Sequence, residues 1–239
     1  MLTNEIDIRE YGDSGLLLTP PGETAEARWE GADKLASALR QALPVGLVDV
    51  VATFEHAFIS FDPLITDHET MRKAVRSLID LVERPKAPTL SRYFEIPVVY
   101  GGEYGPDLAD VGGQVGLSPT EVVHIHTGSA WTVRFCGAPV GAPFLNGPTL
   151  PAPVSRLPDP RTRVLPGSVG LSGPNTVIYP VVSPGGWRII GRTPLRLFDM
   201  TDENLVWYRP GDRFRFVPVP ATQWHMWADR LPKTSAETA

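Results

Sequence analysis

Residues 160–199 read PRTRVLPGSVGLSGPNTVIYPVVSPGGWRIIGRTPLRLFD, and this stretch decides the fold. Short runs of Val, Ile, Leu and Trp are cut by Gly and Pro every few residues. Apolar runs of that length, bounded by turn residues, read as strands joined by tight turns. Polar groups are left at the strand ends and turns: Arg161, Arg163, Ser168, Asn175, Thr176, Tyr179 and Arg192. Binding groups commonly sit at such places on a rigid β scaffold. The stretch carries neither a nucleophile-plus-base pattern nor metal-ligand spacing.

The same texture continues outward. Between Gly137 and Gly191, 20 of 55 residues are Gly or Pro, a density that alone suggests low complexity. Runs such as Val177-Ile178-Tyr179 and Trp187-Arg188-Ile189-Ile190 interrupt it, so a compact β-barrel with many corners is predicted instead. The β pattern opens at Trp131, and its last strand is predicted over 212–219. Trp224 and Trp227, with Met226 between them, fall outside that pattern. They suit either a contact between subunits or packing across the barrel end. Residues 233–239, KTSAETA, hold little apolar surface and are predicted to be loose.

Towards the N-terminus the period changes. Ile6 and Ile8, then Leu16 to Leu18, read as two strands around the turn Gly12-Asp13-Ser14-Gly15. Trp29, Ala32, Ala36, Leu39 and Leu43 recur at helical steps over 23–43, and Pro44 and Gly46 stop that helix. Strands are predicted over 48–54 and 57–61. A second helix opens at the capping box Thr66-Asp67-His68-Glu69, with Met71, Val75, Leu78, Ile79 and Val82 on its core face. A strand over 93–100 completes a β-β-α-β-β-α-β order with helices on one face. Next come a turn-rich loop over 101–106, a short helix over 107–115 and a helix started by Ser118-Pro119-Thr120-Glu121. The predicted class is α+β: a small N-terminal open-sheet α/β sandwich (1–92), then a β-barrel domain with a helical connector (93–232), then the tail (233–239).

With 239 residues and 42% hydrophobic content the chain is long enough for one large or two small cores. A net charge of −5 argues against a nucleic-acid partner, which calls for a basic face. The single Cys136 excludes an internal disulfide and is compatible with a reducing compartment. MLTNEIDIRE lacks the basic and apolar regions of a signal peptide, and no apolar run is long enough to span a bilayer. A soluble, cytoplasmic protein is expected.

Motifs exclude several chemistries. The phosphate-loop pattern G-x-x-x-x-G-K-[ST], the dinucleotide fingerprint and the G-x-S-x-G elbow do not occur. The Gly-Gly-Ser-Ser run of amidase-signature hydrolases is missing as well. His124 and His126 lie two apart on a helix, so they point to different faces and make a poor metal pair; no metal is expected. His126, where the helix hands over to the barrel, either faces a site or acts as a cation at the helix C-terminus. Arg161, Arg163 and Arg192 can hold a carboxylate or phosphate with their planar forks, or form ion pairs with nearby Asp and Glu. Tyr179 and Trp187 flank the turn Ser183-Pro184-Gly185-Gly186 and suit either a pocket wall or the barrel core.

These residues together resemble a known family. Gly12-Asp13-Ser14 before leucines, the run Ile96-Pro97-Val98-Val99-Tyr100-Gly101-Gly102-Glu103-Tyr104-Gly105-Pro106-Asp107-Leu108, Ser118-Pro119, His126, the stretch 161–198 and Arg209-Pro210-Gly211-Asp212-Arg213-Phe214-Arg215-Phe216 follow in family order. The chain is similar to the 5-oxoprolinase B subunit, also called allophanate hydrolase subunit 1, a family that includes an inhibitor of a sporulation histidine kinase. The resemblance implies a cyclophilin-like barrel and a larger partner, allophanate hydrolase subunit 2 or the 5-oxoprolinase C subunit, in a heterodimer or heterotetramer. With a lactam-handling A subunit, such pairs hydrolyse 5-oxoproline to glutamate at the expense of ATP. Fused relatives form the carboxyltransferase part of urea carboxylase, where carboxybiotin delivers CO2 to urea. The inhibitor relative blocks kinase autophosphorylation.

The expectation is therefore a subunit of a hydrolase acting on C–N bonds, inactive alone, with ATP used by the complex and bound through no motif of this chain. His126 (as proton carrier), Arg161 and Arg163 are the candidate catalytic residues. Ser168, Asn175, Thr176, Tyr179, Trp187 and Arg192 are the candidate substrate-binding residues. The alternatives are a kinase-inhibiting binding protein and a carboxyltransferase half. Departures from the family pattern fall at Ala138 and Ala142, where the family has Phe, and at Asn175 and Val177, where it has Gln and Gly.

Overall fold

The structure is a computed structural model that describes residues 6–78, 91–228, 230–232 and 234–236. The chain divides into two compact units, Met1–Thr89 and Leu90–Ala239. In the first, β1 (Asp7–Glu10), β2 (Gly15–Thr19), β3 (Leu47–Ala52) and β4 (Ala57–Phe61) form an antiparallel sheet in the order β1-β2-β4-β3. Helices α1 (Ala25–Ala42) and α2 (His68–Ser77) supply the other half of its core. Thr24 caps α1 by accepting from the Ala27 amide at 3.1 Å. The buried face is Ala32, Leu35, Ala36 and Leu39. Leu43, expected on that face, is 72% exposed, because it forms the left-handed C-cap (φ 44°) and turns away from the helical stripe.

The start of α2 falls one residue later than the Thr66 box predicts. Asp67 is the cap, its carboxylate accepting from the Thr70 amide at 2.7 Å. A carboxylate there also meets the positive end of the helix dipole. Met71 and Val75 are buried and Leu78 packs on the core. Ile79 and Val82 lie outside the described residues.

The second unit holds β5 (Arg92–Tyr100), α3 (Leu108–Val115), α4 (Pro119–Gly128), β6 (Trp131–Gly137), β7 (Ala142–Asn146), β8 (Arg161–Val164), β9 (Ser168–Ser172), β10 (Asn175–Ile178), β11 (Ser183–Gly185), β12 (Arg188–Arg192), β13 (Arg213–Pro218), the short α5 (Trp224–Trp227) and β14 (Thr234–Ala236). Seven strands run β12-β9-β10-β7-β6-β13-β5, and a β12–β5 pairing closes them into a barrel. Closure leaves these strands without an open edge. β5, predicted to complete the first sheet, belongs instead to this barrel, paired with β12 and, in parallel register, with β13. Local period cannot reveal which sheet a strand joins. β14 lies within the stretch expected to be loose and pairs with Arg92–Phe94.

Alternation fills the barrel. Phe94, Ile96 and Val98 of β5 point inward with Val133, Leu145, Val169, Leu171, Ile178, Ile190, Phe214 and Phe216. Against the outer wall, β8 and β11 pair as a ribbon. There Ala142, Val164, Val177, Tyr179, Trp187 and Ile189 form a second, smaller core. The predicted capping box of α4 is present in both directions: Ser118 Oγ accepts from the Glu121 amide at 3.3 Å, and Glu121 accepts from the Ser118 amide at 2.8 Å. The helix it starts carries His126 into the barrel core.

Candidate functional site on the barrel wall

The candidate residues separate onto the two faces of the barrel sheet. Inside lies a polar thread. His126 is 1% exposed and stacks against Phe216 (centroids 4.3 Å) and Trp131 (5.0 Å). Its Nδ1 is 2.8 Å from the Tyr100 hydroxyl and its Nε2 3.3 Å from Thr176 Oγ1. Thr176 donates to the Gly170 carbonyl at 2.9 Å. That bond uses the threonine proton, so Oγ1 is left to accept from Nε2–H, and Nδ1 accepts from Tyr100. Burial lowers the His126 pKa to about 3 and pushes the Tyr100 hydroxyl well above its usual range. The imidazole is therefore neutral and tautomerically fixed, rather than a helix-end cation. The adjoining gap, lined by Ile125, Trp131, Pro148, Leu150 and Leu171, is about 10 Å³ and apolar. It is no larger than a water site.

Outside, three candidates share one row. Tyr179 donates its amide to the Ser168 carbonyl at 2.9 Å, and Ser168 is the register partner of Arg192, which in turn faces Val99. Register partners present their side chains on one face about 5 Å apart. The next row up is Val177, Gly170 and Ile189, and Trp187 lies over it. Gly170 leaves room there: a Cβ would stand 3.0 Å from the Trp187 Cβ, tight enough that the neighbour would have to give by a few tenths of an ångström. Burial raises the Tyr179 hydroxyl, offset in part by the Trp187 backbone and by Arg156 and Arg161. Ser168 is 4% exposed. Arg192 donates Nε–H to the Pro166 carbonyl at 2.7 Å, and its guanidinium lies 5.1 Å from the Trp224 ring centroid. Partial burial lowers its pKa, opposed by Tyr104.

Elsewhere the candidates serve the scaffold or stand apart. Arg161 is engaged by Asp107 through both carboxylate oxygens. Arg163 is exposed on the β8–β11 ribbon. Asn175 closes the β9–β10 hairpin opposite Ser172, at the far end of β9 from Ser168. Thr176, its neighbour, is fully buried on the inner face. Among the described residues no three His, Cys, Asp or Glu side chains converge as metal ligands, and no helix is long and apolar enough to cross a membrane. Sequence reasoning did not single out Tyr100 or Asp107. Tyr100 was findable, since it continues the inward parity of Phe94, Ile96 and Val98.

The carboxyltransferase domain, subdomain C and D, matches residues 6–208. The chain belongs to that family. Within it, the chain is 31% identical to the 5-oxoprolinase B subunit of Bacillus subtilis (strain 168), over 95% of this chain and 99% of that one. The crystal structure of TTHA0988 is 31% identical and superposes with a TM-score of 0.73, over 90% of this chain but 40% of the other. The urea amidolyase of K. lactis shares the fold at a TM-score of 0.80 and 17% identity, over 98% of this chain and 16% of the amidolyase. The fold thus occurs both in a chain of this length and as a fraction of longer polypeptides. Of the two Phe-to-Ala departures, Ala142 is buried in the small outer core and Ala138 is exposed.

Proposed function

We propose that this chain is the non-autonomous subunit of an ATP-dependent amide or lactam hydrolase of the 5-oxoprolinase type, working with a larger cyclophilin-like partner and a lactam-handling subunit. The observation that carries the reading is the division of polar groups across the barrel wall. Binding-type groups (Tyr179, Ser168 and Arg192) sit on the outer face, while the one imidazole of the barrel core is sealed inside with its pKa near 3. A neutral imidazole of such low basicity takes no proton from substrate at neutral pH. Full-length similarity to a 5-oxoprolinase B subunit supports the reaction class. The 40% share of TTHA0988 supports a site completed by further polypeptide.

On this reading the chain binds and orients substrate, and proton transfer comes from the partner. His126 is a positioning residue that fixes Tyr100 and Thr176, and Arg161 is a clamp on Asp107. The wall does not fit a triphosphate: the amides of Gly167 and Ser168 are already bonded to Tyr179 and Leu165 carbonyls. ATP is therefore assigned to the other subunits. The test is co-expression with the larger and the lactam-handling subunits, followed by an assay for ATP-dependent conversion of 5-oxoproline to glutamate. Turnover by the complex, and none by the chain alone, is expected. An assembled complex that leaves 5-oxoproline, allophanate and urea untouched ends the proposal, as does hydrolysis by the isolated chain.

A further inference from the structure

We propose that Ser168 and Arg192 form a carboxylate-binding site on the outer wall of the barrel, beside the ring pair of Tyr104 and Trp224. The proposal rests on the reading above that this wall faces substrate, and it names the group the wall holds. Arg192 is held in place before any ligand arrives. Its Nε–H bond to the Pro166 carbonyl (2.7 Å) fixes the guanidinium plane, and Trp224 covers it at 5.1 Å. Trp224 is itself braced by Tyr104, with ring centroids 5.1 Å apart. Among the described residues no carboxylate pairs with Arg192. Its two terminal nitrogens thus remain as a fork of donors on a partly desolvated cation.

The second observation is the Ser168 hydroxyl. Ser168 is 4% exposed and projects on the same face as Arg192 from the neighbouring strand. A hydroxyl in the register position opposite Arg192 can donate to an anion held by the fork. The available donors define that ligand. One fork, one hydroxyl and one positive charge match a planar monoanion, which accepts two bonds from the fork and one from the serine. A phosphoryl group calls for more donors, and the backbone amides at 167 and 168 are bonded to Tyr179 and Leu165. Val99 in the same row and the two rings give the site an apolar surround, suited to a small organic acid.

The experiment titrates the full-length chain with 5-oxoproline, with 2-pyrrolidone (the same ring without a carboxylate) and with inorganic phosphate. The Arg192 Nε–H and Trp224 indole resonances are followed by NMR. Saturable shifts of both are expected with 5-oxoproline and with neither control. Arg192→Lys keeps the charge and loses the fork, so it should weaken binding about tenfold or more. Ser168→Ala, a small change that leaves the strand intact, should weaken it severalfold, and Arg215→Lys, at an exposed position of β13, should leave it unchanged. Equal binding of 2-pyrrolidone, tighter binding of phosphate at these residues, full affinity in Arg192→Lys, or no saturable shift up to about 10 mM overturns the site. The assembled complex separates this from the functional proposal. Turnover whose KM is unmoved by Arg192→Lys sinks the site alone, whereas carboxylate binding in a complex without turnover sinks the reaction alone.

Discussion

Asp107 holds Arg161 by both oxygens, Oδ2 at 2.9 Å and Oδ1 at 2.7 Å, and Oδ2 also accepts the Ile189 amide at 2.7 Å. One carboxylate therefore ties the loop before α3 to the outer ribbon through β8 and to the barrel through β12. Asp107 is 7% exposed, so removing its charge leaves a guanidinium facing a poorly solvated site. Asp107→Asn is expected to cost about 3 kcal/mol. Arg163→Gln, on the same strand as Arg161 but exposed, should change stability by less than about 0.5 kcal/mol. Urea unfolding of both variants checks this; equal midpoints refute it.

His126 makes the chain acid-sensitive in a defined window. The folded protein keeps the ring neutral down to about pH 3, while the unfolded chain takes its proton near 6.5. Between those values the unfolded state binds more protons, so stability falls as pH falls, by roughly 1.4 kcal/mol per unit. Above pH 6.5 the residue contributes no slope. His126→Gln removes the titration and is less stable at pH 7.5. The gap to the parent should narrow steadily from pH 6.5 towards pH 4, as read by denaturant midpoints. A gap that stays constant over that range contradicts the assignment.

Cys136 is a poor nucleophile in the folded chain. Burial, with the Asp212 charge adding to it, pushes its thiol up to about 11. At pH 8 only about a thousandth of it is thiolate. Alkylation by iodoacetamide at that pH is expected to run about 100-fold slower than in the urea-denatured protein. Mass spectrometry over time measures it, and similar rates in the two states argue against the buried environment.

Gly105 cannot gain a side chain. A Cβ there would run into the Ile190 carbonyl, which already accepts from the Gly101 amide at 3.1 Å. This contact seats the Tyr104 loop against β12. Gly105→Ala should cost about 2 kcal/mol or more, read by thermal unfolding. Gly102→Ala is the comparison: a Cβ there meets nothing within 4 Å, although its φ of 54° adds strain of about 1 kcal/mol. A Gly105 variant no worse than the Gly102 variant overturns the steric account.

What could be read in advance follows the range of the forces involved. The Ser118–Glu121 box, the helical stripe of α1 and the turn-rich strands of 160–199 are local patterns, and the structure contains them. The misreadings are of three kinds. Leu43 fits the helical period but sits in a cap conformation, Thr66 fits the box but yields to Asp67, and β5 fits either sheet. The site was legible as residue types rather than as an arrangement. Thr176 lies three residues before Tyr179, yet it faces the core while Tyr179 faces out. Ser168 meets Arg192 only through a β9–β12 register that includes a bulge. Arg161 finds Asp107 across 54 residues, a separation no spacing rule covers.

The parallel pairing of Tyr93 with Arg213 has a bearing on how the chain is made. A nascent polypeptide presents β5 to solvent long before β13 leaves the ribosome, roughly ten seconds at ordinary elongation rates. Until then the half-built wall exposes hydrogen-bonding groups to any neighbour. Translation that halts short of residue 213 yields an unclosed sheet, fit for a chaperone or a protease and unable to join an assembly.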